Sequence, residues 1–194
     1  MKDIVKLGGL LFAVTAIAAT ALAGIYSVTK PRIERQKQLV LENALTVALP
    51  SVEQEAIFPV QRDGKVLYYE GYTSKEKSEL VGYAFVAKGP AYSSVIETMV
   101  GVDTTGQILG MQVLSQQETP GLGTRIEEVK YGEEDPWFQR QFIGKIAENL
   151  KVDKDGGDIQ AITGATISSR ALTKSVVEAF FQLKQEIERA KTVI

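Results

Sequence analysis

The sequence predicts an α+β domain, an antiparallel sheet with packed helices, preceded by one transmembrane helix. Three observations predict it. Lys6 and Lys30 bracket 23 uncharged residues near the N-terminus. Four short runs of alternating Val, Tyr, Phe and Ile occupy the middle of the chain. A long stretch near the C-terminus repeats its apolar residues at helical spacing.

The uncharged segment, Leu7 to Thr29, forms a helix of roughly 34 Å at 1.5 Å per residue, enough to cross a hydrocarbon core of about 30 Å. Its many small residues, from Gly8 to Gly24, permit close approach of another helix in lipid. Ala21-Leu22-Ala23 also fits a signal-peptide cleavage pattern, but the apolar run exceeds the usual core of such peptides. The segment is therefore read as a retained anchor, residues 1–30. Pro31 to Leu49 carries an apolar stripe through Ile33, Leu39, Val40 and Leu45 and is expected to form a membrane-proximal helix ending at Pro50 (residues 31–50). Residues 51–194 form the remaining domain.

Within it, strands are expected at Val66–Tyr72, Leu80–Ala87, Ser94–Val102 and Gln107–Leu114, with a hairpin turn at Asp103-Thr104-Thr105-Gly106. Short helices are expected near Arg125–Val129 and Trp137–Phe142, and a last short strand at Asp158–Ile162. Trp137 and Phe138 read as an apolar helix face, and Glu127-Glu128 and Glu133-Glu134-Asp135 as solvated. The long helix runs from about Ile167 to Ala190, with Leu172, Val176, Phe180, Leu183 and Ile187 on one face.

Composition narrows the chemistry. The chain has no cysteine and no histidine. Disulfides, thiolate nucleophiles, cysteine-ligated clusters, most zinc sites and a Ser-His-Asp triad are excluded, and no metal site is expected. The net charge is −2, and no basic face offers itself to nucleic acid. Residues 1–37 carry net +4, which leaves −6 for the rest, as suits an acidic body behind a basic collar at a lipid surface. More basic residues follow the span than precede it, which by the positive-inside rule would favour a cytoplasmic domain.

Two segments draw attention. Thr163-Gly164-Ala165-Thr166-Ile167-Ser168-Ser169 opens the long helix. Its free amides and the positive end of the dipole suit an anion, and Gly164 allows close backbone approach; equally, Thr166, Ser168 or Ser169 could serve only as an N-cap. Glu118-Thr119-Pro120-Gly121-Leu122-Gly123 is a stiff loop that could present Leu122 to a planar ring or be an ordinary turn.

Taken together, these motifs resemble the FMN-binding domain family of the Rnf and Na⁺-translocating NADH:quinone reductase complexes, and the whole chain resembles the family of Rnf G subunits. Gly101-Val102-Asp103, Gly106-Gln107-Ile108-Leu109-Gly110 and Gln141-Phe142-Ile143-Gly144-Lys145 add to the likeness. The resemblance implies one FMN per chain, joined as a phosphoester to Thr166. It implies cofactor contacts from Glu118, Thr119, Leu122, Gly123, Thr163, Gly164, Ala165 and Ser168. Hydrogen bonds are expected from Glu118 and Thr119, and packing from Leu122 and Gly123. The family often has His where Gln116 stands, so no proton-handling role carries over to that position. No dinucleotide fingerprint is present. The implied function is electron relay, without an independent catalytic centre, among the membrane and peripheral subunits of an ion-translocating ferredoxin:NAD oxidoreductase. The implied location is the cell (inner) membrane, with the FMN domain on the extracytoplasmic side, against the charge count. Two alternatives are the C subunit of the quinone reductase, which is usually longer, and a non-redox tethered binding module.

Overall fold

The computed structural model describes residues 2–192, so Met1 of the anchor and the last two residues of the C-terminal domain lie outside the described residues. The first helix, α1 (Lys2–Ala48), is continuous through Pro31. The chain divides into two compact units, residues 1–40 and 41–194. Along the first unit none of the described helix residues is buried, and a window of mean hydropathy 2.0 makes the helix long and apolar enough to cross a membrane. Thr15, Thr20 and Thr29 hydrogen-bond back to the carbonyls of Leu11, Ala16 and Ile25 (2.7–2.9 Å). These bonds satisfy hydroxyls that a bilayer would leave unpaired.

The second unit is built on a five-stranded antiparallel meander in the order β1-β2-β3-β4-β5. Its strands are β1 (Ile57–Arg62), β2 (Lys65–Tyr72), β3 (Leu80–Pro90), β4 (Val95–Asp103) and β5 (Ile108–Ser115). The four expected strands are present to within three residues at each end. β1 is additional. It sits at the sheet edge, carries Pro59 and is half-buried at best, so its alternation is weak. The turn between β4 and β5 is held by Asp103, whose Oδ1 accepts from the Thr105 and Gln107 amides and the Thr105 hydroxyl (2.7–2.9 Å).

Both faces of the sheet are covered, which is why β4 is buried without a break from Thr98 to Val102. On one face, Phe85, Val100, Val102 and Ile108 pack against Leu172, Val176 and Phe180 of α3 (Thr166–Thr192), and against Phe138 and Phe142. On the other, Ala84 and Met99 meet Ala44, Leu45, Ala48 and Leu49 at the end of α1. Gly101 and Gly110 pair across β4 and β5, and a Cβ on either would lie 1.9–2.0 Å from the carbonyl oxygen of Ala48 or Val47. These glycines let the backbone of α1 rest directly on the sheet.

The segment from residue 116 to 165 wraps the edge of β5. Ile108 donates to Lys145 C=O (2.9 Å) and accepts from Gly144 N–H (2.8 Å), while Val113 N–H donates to Gln139 Oε1 (3.2 Å). The edge is thereby shielded from pairing with another chain. The expected helices here are a 3-10 turn, Gly123–Glu127, and one short turn, α2 (Trp137–Arg140). The expected strand at residues 158–162 is not formed. Only Ile159 bridges, in parallel, to Val152. Gly157 lies so close to Lys151 C=O that a Cβ would sit 2.1 Å from it, so the chain doubles back tightly and no ladder can extend. Trp137 and Phe138 are buried in the core, as expected of a helix face. The acidic pairs are not simply solvated: Glu128 accepts from Trp137 Nε1 and Arg125 Nε (both 3.0 Å), and Glu133 pairs with Arg140 (2.5 Å).

Candidate functional site

α3 begins at Thr166. Gly164 (φ +83°) turns the chain into it, a conformation that favours glycine. The first helical hydrogen bond runs from Ser169 N–H to Ala165 C=O (3.0 Å), so the amides of Thr166, Ile167 and Ser168 precede the helical ladder. None of the expected capping side chains caps them. Ser169 Oγ instead donates to Ala165 C=O and accepts from Ile162 N–H (both 3.0 Å). Ser168 Oγ donates to Glu118 Oε2 (2.6 Å). Thr166 is half-buried, and its hydroxyl has no hydrogen-bond partner among the described residues.

Glu118 joins three separate stretches of chain. It is 5% exposed, and its Oε1 accepts from the amides of Ser93 and Ser94 (2.9 Å each) and from Ser94 Oγ (3.0 Å). Oε2 accepts from Ser168 Oγ and from Tyr92 N–H (3.2 Å). Burial pushes the carboxyl pKa up, but the hydrogen bonds from Ser168, Ser93 and Ser94 outweigh it and hold the group below its ordinary range. The carboxylate therefore stays ionised and fully engaged by the protein. Gln116 completes the arrangement: its Oε1 accepts from Glu118 N–H (2.8 Å) and its Nε2 donates to Glu127 (2.6 Å).

The two glycines of this region allow its close packing. A Cβ on Gly123 would lie 2.6–2.8 Å from Glu118 and Ser168, and one on Gly164 would lie 3.1 Å from the Leu122 side chain. The loop 118–123 and the start of α3, some 45 residues apart in sequence, are thus in contact.

Between them lies a cleft of about 550 Å³, within the ~300–1,000 Å³ of small-molecule and cofactor sites. Of the residues singled out from the sequence, Glu118, Thr119, Leu122, Gly123, Gly164, Ala165, Thr166 and Ser168 line it. Thr163 does not; it is exposed beside the cleft. Tyr92 and Ile167 also line it and were not foreseen. Ile167 lies inside the recognised motif. Tyr92 lies in the turn Ala91-Tyr92-Ser93-Ser94, whose only sequence signal is a serine pair after a strand. No lysine or arginine lines the cleft, and no group of acidic residues suited to a metal ion occurs among the described residues.

These features fit a phosphorylated planar ligand. The chain offers a free hydroxyl, three unladdered amides at a helix start, an apolar wall and glycines at the points of closest packing. Comparison with known proteins bears on the same residues. A family model described as FMN-binding domain matches residues 91–180, and one described as RnfG N-terminal region matches residues 1–47. The chain is 34% identical over 208 residues to the G subunit of the ion-translocating oxidoreductase complex of Aliivibrio fischeri, covering 100% of this chain and 97% of the relative. It is 35% identical over 195 residues to the G subunit of the Na(+)-translocating ferredoxin:NAD(+) oxidoreductase complex of Acetobacterium woodii, covering 90% and 89%. The crystal structure of the C subunit of the Na(+)-translocating NADH-quinone reductase from Parabacteroides distasonis shares the fold. The TM-score is 0.55 at 17% identity, over 76% of this chain and 92% of that one.

Proposed function

The chain belongs to the family of G subunits of ion-translocating oxidoreductase complexes, and on that premise we propose that it relays electrons through one FMN held as a phosphoester on Thr166. The observation that carries this reading is the unpartnered Thr166 hydroxyl at the first turn of α3, inside a cleft built from both recognised segments. FMN supplies reversible electron transfer when bound, and the protein supplies position and electrostatics. The net attachment is a condensation: Thr166 Oγ1 gains a bond to phosphorus and one water is lost. The amides of Thr166, Ile167 and Ser168 and the dipole of α3 would hold the phosphate charge. Thr119 offers a hydroxyl, and Leu122 and Ile167 offer apolar surface that excludes water. Glu118 fixes the walls through Ser93, Ser94 and Ser168, and in this reading it positions the site.

The donor and acceptor are other membrane and peripheral subunits of an Rnf-type complex. The chain is anchored in the inner membrane by residues 1–30, with its domain on the extracytoplasmic side. Likeness over the full length, including residues 1–47, favours a G subunit of an Rnf-type complex over the C subunit of a quinone reductase.

Mass spectrometry of the intact chain tests the central point, and the expected mass is that of the amino acids plus FMN less one water. Thr166→Val should remove both the added mass and the fluorescence of the denatured band while leaving the fold intact. A fluorescent Thr166→Val band refutes the attachment site. A wild-type chain with neither signal leaves a non-redox binding module. Protease added to right-side-out vesicles should digest the domain; survival until lysis places it in the cytoplasm.

A further inference from the structure

We propose that Tyr92 is the aromatic side chain that packs against the isoalloxazine ring, an assignment that rests on reading the cleft as the FMN site. Tyr92 is the one aromatic residue lining the cleft among the described residues. Its side chain is 70% exposed and has no ring contact or hydrogen bond. Tyr131 is fully exposed, but it stands away from the cleft in a polar, Gly-containing turn.

The backbone beneath Tyr92, in contrast, is tightly held. Its amide and those of Ser93 and Ser94 all donate to the buried Glu118 carboxylate, and Ala91 N–H donates to Ser94 C=O (2.8 Å). A free ring thus stands on a fixed base at the rim of the cleft. Leu122 and Ile167, 44% and 53% exposed, line the same cleft. Three large apolar side chains exposed around one opening are poorly accounted for by solvent. A planar aromatic ligand would cover them and gain stacking with the phenol, whose ring prefers offset or edge-on contact with another π system. Because Glu118 holds the Tyr92 amide, the same carboxylate that bonds Ser168 at the helix start also fixes the backbone from which the ring projects.

Contact between a phenol and a flavin has an optical signature independent of turnover. An excited flavin takes one electron from the phenol, and the electron returns at once, so both groups end unchanged and the emission is lost. The test uses the full-length flavin-bearing chain in detergent, with native emission normalised to the emission of the same sample after denaturation. Wild type should be strongly quenched. Tyr92→Leu should raise native emission several-fold, and Tyr92→Trp, which keeps an oxidisable ring, should stay quenched. All three should give equal emission after denaturation. Equal native emission from wild type and Tyr92→Leu overturns the proposal while leaving the phosphoester intact. A wild-type chain without flavin overturns both, and the denatured sample alone reports that failure.

Discussion

Replacing Glu118 by Gln keeps the side-chain shape and removes the charge, so it isolates what the buried carboxylate does. Five donors converge on it in the wild type. Hydrogen bonds to a charged acceptor contribute about 1.5–3 kcal/mol and neutral ones about 0.5–1.5 kcal/mol, so each short bond should weaken by about 1 kcal/mol. Three of these bonds fall on Oε1, which an amide oxygen can replace. The amide nitrogen at Oε2 then faces the Tyr92 N–H, donor against donor. Relief of the desolvated charge offsets part of the loss, leaving a net destabilisation of about 2–3 kcal/mol. With a urea m-value of about 1–3 kcal/mol/M, the midpoint should fall by about 1–2 M. The single tryptophan, Trp137, is buried in the sheet domain and reports this transition in the detergent-solubilised chain. The pH dependence adds a second signature. The folded pKa of Glu118 lies below its unfolded value, so its stabilisation is complete above the unfolded carboxyl range, near about 4.3, and is lost as pH falls through the folded value. The gap between wild type and Glu118→Gln should therefore be widest near neutrality and narrow as the pH falls below the unfolded carboxyl range. Coincident midpoints at neutral pH, or a gap that does not change with acid, would refute the assignment of Glu118 as an ionised clamp.

Two further substitutions probe the glycines of the loop 118–123. Gly123→Ala drives a methyl against Glu118 and Ser168 and should cost about 1–3 kcal/mol by overpacking, with less flavin in the denatured band. Gly121→Ala is the control: at φ +75° with open space around it, it should cost about 1–2 kcal/mol of backbone strain and leave flavin loading unchanged. In the sheet, Gly101→Ala would meet the Ala48 carbonyl and should destabilise the domain by about 3 kcal/mol, read as a lower urea midpoint; an unchanged midpoint would mean that α1 does not rest on β4.

The sequence carried the sheet wherever side chains alternate plainly. β2 to β5 are rich in Val, Ile, Phe and Tyr, and turn residues bound them. β1 was hidden because Pro59 and the polar Gln61 and Arg62 blur its period, and its partners across the turn decide its pairing. Residues 158–162 misled in the opposite direction. Ile159, Ala161 and Ile162 are buried as a strand would be, but their backbone serves a tight loop with a single bridge. Each motif of the site alone read equally as a turn or an N-cap, and only the two together, through their likeness to a known family, pointed to a cleft. What could not be read was the partnership between them. Glu118 looks like a ligand contact in sequence, yet its acceptors are taken by serines 24 to 50 residues away, and only the fold brings Ser93, Ser94 and Ser168 together. Tyr92 was missed for the same reason, since its place at the cleft follows from the position of Glu118.

The electrostatics of the cleft explain why a bond to Thr166 would be needed at all. A phosphate carries up to two negative charges, but no lysine or arginine lines the cleft, and the carboxylate in its wall is ionised. What remains for the anion is the start of α3, where dipole and amides contribute about 0.3–2 kcal/mol. The apolar contribution is limited as well, because Tyr92, Leu122 and Ile167 stand at an open rim. Against an association cost of several kcal/mol in lost translational and rotational freedom, these terms give weak reversible binding. A covalent ester removes that cost once, and the ring can then remain near the surface for electron exchange. It follows that Thr166→Val, folded and supplied with excess free FMN, should not hold the flavin through gel filtration, whereas Thr166→Ser, which keeps the hydroxyl, should carry it through denaturation. Tight retention of added FMN by the Val variant would show that the cleft binds the flavin unaided, and the argument from its electrostatics would fail.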